Sequence, residues 1–159
     1  MRRVDREITE FSEMIAIMRK CTVCRIALHD TPFPYIVPMH FGMEVENEQV
    51  MLYLHGAGEG KKLNLLAKNP NVAFEMDCEQ QLITSETACG CSMAYESVIG
   101  QGKLEIVSDE EKKHGLTALL RQFQLESLPM QVGAIQRTTV LKLTVEQLTG
   151  KRRIAPQLK

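Results

Sequence analysis

The stretch PYIVPMHFGMEV constrains this chain more than any other. Apolar side chains recur at Tyr35, Val37, Met39, Phe41, Met43 and Val45, while Pro38, His40 and Gly42 fall between them. A period of two is that of a strand with one buried face. The proline cannot donate to a ladder, so this strand needs an edge, a bulge or a ligand beside it. TVCRIALH reads as a strand before it, joined through DTPFP, a turn built from Asp and Pro. After it, ENEQ turns the chain into VMLYLH, a third strand only four residues later. NVAFEMDC, the long SMAYESVIGQGKLEIV (broken by Gly100 and Gly102) and TVLKLTV supply the remaining strands.

Helices are fewer. TEFSEMIAIMRKC places Phe11, Met14, Ile15 and Met18 on one face at helical spacing, and KKLNLLAKN reads as a short helix closed by Asn69-Pro70. SDEEKKHGLTALLRQF opens with Ser108 at the N-cap and Glu111 three residues on, the capping-box pattern. Consecutive strands, short turns and few helices predict an antiparallel sheet or barrel in an α+β domain. No repeat or linker divides the chain, and its 159 residues fit a single domain, 1–159.

Charge narrows the function classes. Lys+Arg 19 against Asp+Glu 20 leaves a net charge of −1, without the basic excess typical of nucleic-acid binders. No apolar run approaches the length of a membrane span. The opening MRRVDREITEF is polar where a signal peptide needs its apolar core, so a cytoplasmic protein is expected. Five cysteines, an odd number, then point to reduced thiols rather than a disulfide framework.

The motif that poses a chemical question is YLHGAGEGKKLNLL, Tyr53 to Leu66. It is not a Walker A loop, because three residues rather than four separate Gly56 from Gly60-Lys61, and Lys62 stands where Ser or Thr would bind magnesium. Nor is its G-x-G-x-G spacing a dinucleotide fingerprint. A helix starting near Gly60 aims free N–H groups at the loop, and Lys61 and Lys62 in its first turn oppose the helix dipole unless an anion sits between. Two readings remain open at this level: a solvated helix start and a phosphate cradle. His55 closes the preceding strand on the face of Tyr53 and Met51, as a structural residue or as a proton carrier near neutral pH.

Two further candidates are weaker. Cys21 and Cys24, if both in a strand, project to opposite faces and cannot grip one ion, and the second pair, CGC, lacks knuckle spacing. No metal site is expected. Tyr95, Ser97 and Ile99 share a face if extended. They form either a plain strand with a glycine bulge or a pair of hydroxyls offered to a ligand.

Taken in order, MRRVDREIT, PYIVPMHFG, YLHGAGEGKK, NPNVAFE, YESVIGQGKLEIV and LTGKRR resemble the nitroimidazole-resistance (Nim) proteins. That group lies within the FMN-binding split-barrel family related to pyridoxamine 5′-phosphate oxidase. The resemblance covers nearly the whole chain. It implies a six-stranded antiparallel split barrel with flanking helices, and a homodimer with FMN at the subunit interface. Val37, Pro38, Met39 and His40 would lie along the flavin ring. His55, Gly56 and Ala57 would border the flavin and its ribityl chain. Gly60, Lys61 and Lys62 would hold the phosphate. Tyr95, Ser97 and Val98 would approach from the edge of the site or from the partner subunit. The implied activity is an FMN-dependent oxidoreductase that passes electrons from a reduced donor to a small planar acceptor, nitroaromatic compounds being one class, with His55 as proton donor or anchor. The alternative is a non-catalytic flavin- or haem-binding protein on the same barrel, for which His29, His40 and His55 are candidate ligands. The arginines and C-terminal substrate segment of the oxidases proper are missing, so that activity is not expected. The resemblance gives no account of TACGC, Thr87 to Cys91.

Overall fold

The computed structural model describes residues 2–155. Eight strands form one antiparallel sheet: β1 (Glu7–Ile8), β2 (Cys24–Leu28), β3 (Tyr35–Met39), β4 (Phe41–Glu46), β5 (Gln49–Gly56), β6 (Asn71–Ile83), β7 (Ser92–Ile106) and β8 (Thr139–Arg153). Four helices accompany them: α1 (Phe11–Lys20), α2 (Lys61–Leu66), α3 (Asp109–Gln122) and α4 (Val132–Arg137). None of the described helices is long and apolar enough to cross a membrane.

The hydrogen-bonded path runs β3-β2-β6-β7-β8-β5-β4, with β1 added to β8. Its two ends, β3 and β4, are consecutive in the chain and separated by His40 alone. Edges of a seven-strand path that meet at one residue force the sheet to curl on itself, and because β3 and β4 are not paired the barrel stays split. The α+β split barrel expected from the sequence is therefore present, with a corrected strand count. The alternating run from Tyr35 to Val45 is two strands, not one, and a two-residue β1 is added. Pro38 sits opposite Arg25 on β3, an edge strand that needs no donor on its free side. Gly100 and Gly102 do not break β7; the pairing with β8 only shifts register between Gln101 and Gly102.

Inside the barrel, Ile26, Leu28, Phe41, Leu52, Leu54, Met76, Leu104, Leu141 and Leu143 are all but fully buried. The amphipathic face of α1 closes one end, burying Met14, Ile15, Ile17 and Met18 in the same core. Such side chains contribute about 1.5–3 kcal/mol each by leaving water. A second, smaller core lies on the outer face, where Ala118 and Leu119 of α3 cover Tyr53, Val107 and Val140. Gly42 permits this layer, since a Cβ there would overlap the Ala118 backbone. Ser108 is the N-cap of α3 as expected, but the capping box does not close. Glu111 instead accepts from Lys142 Nζ at 3.1 Å and from the Tyr53 hydroxyl at 3.3 Å. A partly buried ammonium is the stronger competitor for that carboxylate. α4 has no counterpart in the sequence reading.

Candidate functional site

Strand β5 ends at His55 and Gly56, which pair with Val140 and Thr139 of β8. The chain then crosses an exposed loop to Gly60, whose φ of 132° lies where side chains are disfavoured, and whose carbonyl accepts from the N–H groups of Leu63 and Asn64 at 3.1 and 3.2 Å. This starts α2. The helix is only six residues long, so its dipole is slight and its lysine side chains decide the site.

Lys62 folds back over the end of β5. A Cβ on Gly56 would sit 2.7 Å from its Nζ, so a side chain there would push the ammonium from its present place. The ammonium comes to rest 3.6 Å from Met39 Sδ, half-buried, with no carboxylate within ion-pair distance among the described residues. Burial lowers its pKa. A desolvated cation with only a thioether for company is offset best by an incoming anion. Lys61 is arranged differently. Its Nζ lies 2.7 Å from Asp30 and 4.9 Å from the centre of the Tyr35 ring. The two lysines expected to act together are therefore not equivalent: Lys62 is unpaired and Lys61 is engaged.

The end of β3 arrives beside them. Met39 is buried, Val37 is half-buried on the same face, and Pro38 is exposed on the other. His40 is exposed at the hinge between β3 and β4, with Nδ1 2.8 Å from the Thr22 carbonyl, so Nδ1 carries the proton and donates. Its ring meets Phe123 edge-on at 5.7 Å. His55 has its pKa lowered by burial first, then by His40 and Lys62. His40, His55, Gly56, Lys62 and Met39 thus form one cluster, bordered by Ala57 and Gly60. Beyond His55 a cavity of about 260 Å³ opens between α3 and α4. The sequence reading missed it, because Leu116, Leu119 and Leu120 have the spacing of ordinary core residues and α4 carries no strong periodicity.

Tyr95, Ser97 and Val98 do not join this cluster within one chain. Tyr95 pairs with Arg153 and His55 with Val140, the two ends of β8. At a strand rise of about 3.3 Å per residue they lie about 40 Å apart along β8. Val98 is fully buried in the barrel, so its side chain is closed to any ligand. Tyr95 and Ser97 lie half-buried on the outward face of β7, which they share with Ile99. Burial alone would raise the Tyr95 pKa, but the nearby cations Lys151 and Arg6 outweigh it and the net shift is downward. His29 follows Leu28, whose partner is Tyr35, whereas Met39 and His40 lie at the Cys24 end of β2. The three candidate haem ligands are therefore not brought together.

Cys21 ends α1 and is not in a strand; its Sγ donates to the Ile17 carbonyl at 3.4 Å. Burial pushes the Cys21 thiol up to about 12 and raises that of Cys24 as well. No group of three His, Cys, Asp or Glu side chains among the described residues is placed to hold a metal ion.

A family model described as pyridoxamine 5′-phosphate oxidase matches residues 10–152. No curated protein sequence matches the chain. Among solved structures, one from Bacteroides thetaiotaomicron, provisionally ascribed to 5-nitroimidazole antibiotic resistance, is 31% identical. The likeness covers 92% of this chain and 86% of that one, with a TM-score of 0.79. The flavocytochrome Anf3 of Azotobacter vinelandii is 20% identical over 100% of this chain and 74% of its own, with a TM-score of 0.81. The FAD and heme binding protein of Mycobacterium smegmatis is 20% identical over 97% of this chain and 77% of its own, also at 0.81. The last two share the fold. The family match spans both layers of the barrel and the whole Lys62 cluster, and on that ground the chain belongs to the pyridoxamine 5′-phosphate oxidase family.

Proposed function

We propose that this protein binds FMN and acts as an oxidoreductase, passing electrons from a reduced donor to a small planar acceptor, with nitroaromatic compounds as one class. The observation that carries the reading is the half-buried, unpaired Lys62 ammonium over a glycine where a side chain would displace it. A phosphate suits that position by charge. Lys62, with the backbone at Gly60, would hold it, and Lys61 would add longer-range attraction while bound to Asp30. Val37 to His40 would lie along the ring, and His55 to Ala57 along the ribityl chain. When bound, the flavin supplies the electron chemistry, and the protein supplies orientation and charge. His55, whose imidazole is neutral near pH 7 given its lowered pKa, would anchor the acceptor or deliver a proton to it. The Bacteroides structure, tied provisionally to nitroimidazole resistance, supports the acceptor class.

The site is proposed to be shared between two copies. Tyr95 and Ser97 are too far from their own His55 to touch the same flavin, but a second copy could present them. The outer face of β3-β2-β6-β7 could serve as that interface: Ile36, opposite Ala27, and Ile99, opposite Glu75, are 60% and 53% exposed there, with the Arg25, Glu75 and Asp77 ion cluster between them.

The test is differential affinity. A hydrogen bond to a charged group is worth about 1.5–3 kcal/mol. Lys62→Ala should therefore weaken FMN binding, followed by quenching of flavin fluorescence, by about tenfold or more. Riboflavin, which lacks the phosphate, should bind both proteins alike. Equal losses for the two flavins would remove Lys62 from the phosphate. Turnover of a nitroaromatic with reduced nicotinamide as donor separates an enzyme from a carrier.

A further inference from the structure

Of the residues in the Lys62 cluster, only His55 lines the cavity between α3 and α4. Its walls are Leu116, Leu119 and Leu120 of α3, Ile135 of α4, and Met130 from the connecting segment. Its polar groups are three: the His55 ring, Gln131 and Thr138. No Asp, Glu, Lys or Arg lines it among the described residues. At about 260 Å³ it is smaller than most ligand pockets, which run from about 300 to 1,000 Å³. It admits one or two rings and excludes anything the size of a flavin.

Position gives the cavity its meaning. His55 lines the cavity, and the next residue of β5, Gly56, lies under the Lys62 Nζ, so the cavity and the Lys62 cluster meet at the end of one strand. Phe123, at the end of α3, leans on His40, so the segment that roofs the cavity also touches the cluster. A ligand in the cavity has mostly apolar walls around its body and one imidazole among them. An unpaired charge inside such walls has no partner and carries the full cost of desolvation.

We infer that this cavity is the acceptor subsite: it takes a neutral, apolar, one- or two-ring compound whose single polar group meets His55, and Leu116, Leu120 and Ile135 set its size limit. That the ligand is an electron acceptor rests on the flavin reading above; that it binds here does not.

The experiment is a titration of the methyl signals of the full-length protein by NMR, with nitrobenzene as the neutral probe and 4-nitrobenzoate as its charged counterpart. Nitrobenzene should move the methyl signals of Leu116, Leu120 and Ile135 to saturation, and 4-nitrobenzoate should need at least tenfold higher concentration. Ala134→Trp fills the cavity from an exposed position on α4 and should abolish the nitrobenzene shifts while FMN affinity stays unchanged. Leu116→Ala should instead admit 1-nitronaphthalene more tightly than the parent does. Equal binding of the two probes, shifts confined to other methyls, or nitrobenzene bound unchanged by the tryptophan variant would each overturn the inference. If the probe binds as described but FMN does not bind, the flavin reading falls and the cavity stands. If FMN binds and the probe does not, the reverse holds.

Discussion

At the scale of single residues, the site turns on what Lys62 and His55 do to one another. His55 is held below its usual range by burial, His40 and Lys62, so at any given pH less of it is protonated than of a free imidazole. If it delivers a proton, activity should be greatest on the acid side and fall as pH rises through that lowered value. A phosphate on Lys62 would cancel one of the three causes. The His55 ring, followed by its Hε1 proton signal, should therefore titrate at higher pH with FMN bound than without it. His55→Gln should retain FMN, lower turnover by about 10²-fold or more, and flatten its pH profile. A titration midpoint that ignores FMN would separate His55 from the phosphate site.

Between elements, two contacts carry most of the geometry. Gly42 lets the α3 backbone lie directly on β4, and backbone cannot step aside as a flexible side chain can. Gly42→Ala should cost about 2–3 kcal/mol, as overpacking does, read as a lowered denaturation midpoint. It should also lift α3 and weaken nitrobenzene binding in the cavity beneath it. An alanine variant of unchanged stability would mean that α3 sits more loosely than described. Glu96 ties three elements together, accepting from Lys20 of α1 at 2.6 Å and from Arg152 of β8, which in turn reaches Glu13. Burial alone would raise the Glu96 pKa, but these two cations outweigh it and leave it lowered. A carboxylate depressed in the folded state stabilises above its unfolded pKa, and that stability is lost as pH falls through the lower folded value. Lys20 is half exposed, which limits the effect. Glu96→Gln should destabilise by about 1–2 kcal/mol at pH 7, with the difference from the parent shrinking as pH falls below the unfolded carboxylate range and vanishing below the lowered folded value.

For the whole molecule, the decisive question is the outer face of β3-β2-β6-β7. Ile99 there is half exposed, beside Glu75 and two residues from Gln101. If that face joins two copies, thermal stability should rise with protein concentration. Ile99→Glu should then give a monomer by light scattering and lose FMN affinity together with assembly, although Ile99 is remote from Lys62 in its own chain. A monomeric parent that binds FMN tightly would end the shared-site proposal and return Tyr95 and Ser97 to the surface of an ordinary strand.

Local signals told correctly where most strands and α1 lie, because alternation and helical spacing act over neighbouring residues and need no tertiary context. Ser108, the Asp-Pro turn and the glycine-rich hinge were legible for the same reason. The run from Tyr35 to Val45 shows the limit. Its alternation is real on both sides of His40, yet nothing local says that the two halves pair with different strands at opposite ends of the sheet. The same limit holds at the site. Lys61 and Lys62 are adjacent and chemically alike, and only the fold puts Asp30 against one and leaves the other beside a thioether. The resemblance puts Tyr95 and His55 in one site, from one chain or from two, and within a chain β8 places them at its two ends. The sequence by itself determined which residues could carry charge, protons and apolar surface, since those are properties of the side chains. Which of them meet was decided by the curl of the sheet, because pairing between strands far apart in the chain sets every distance across it.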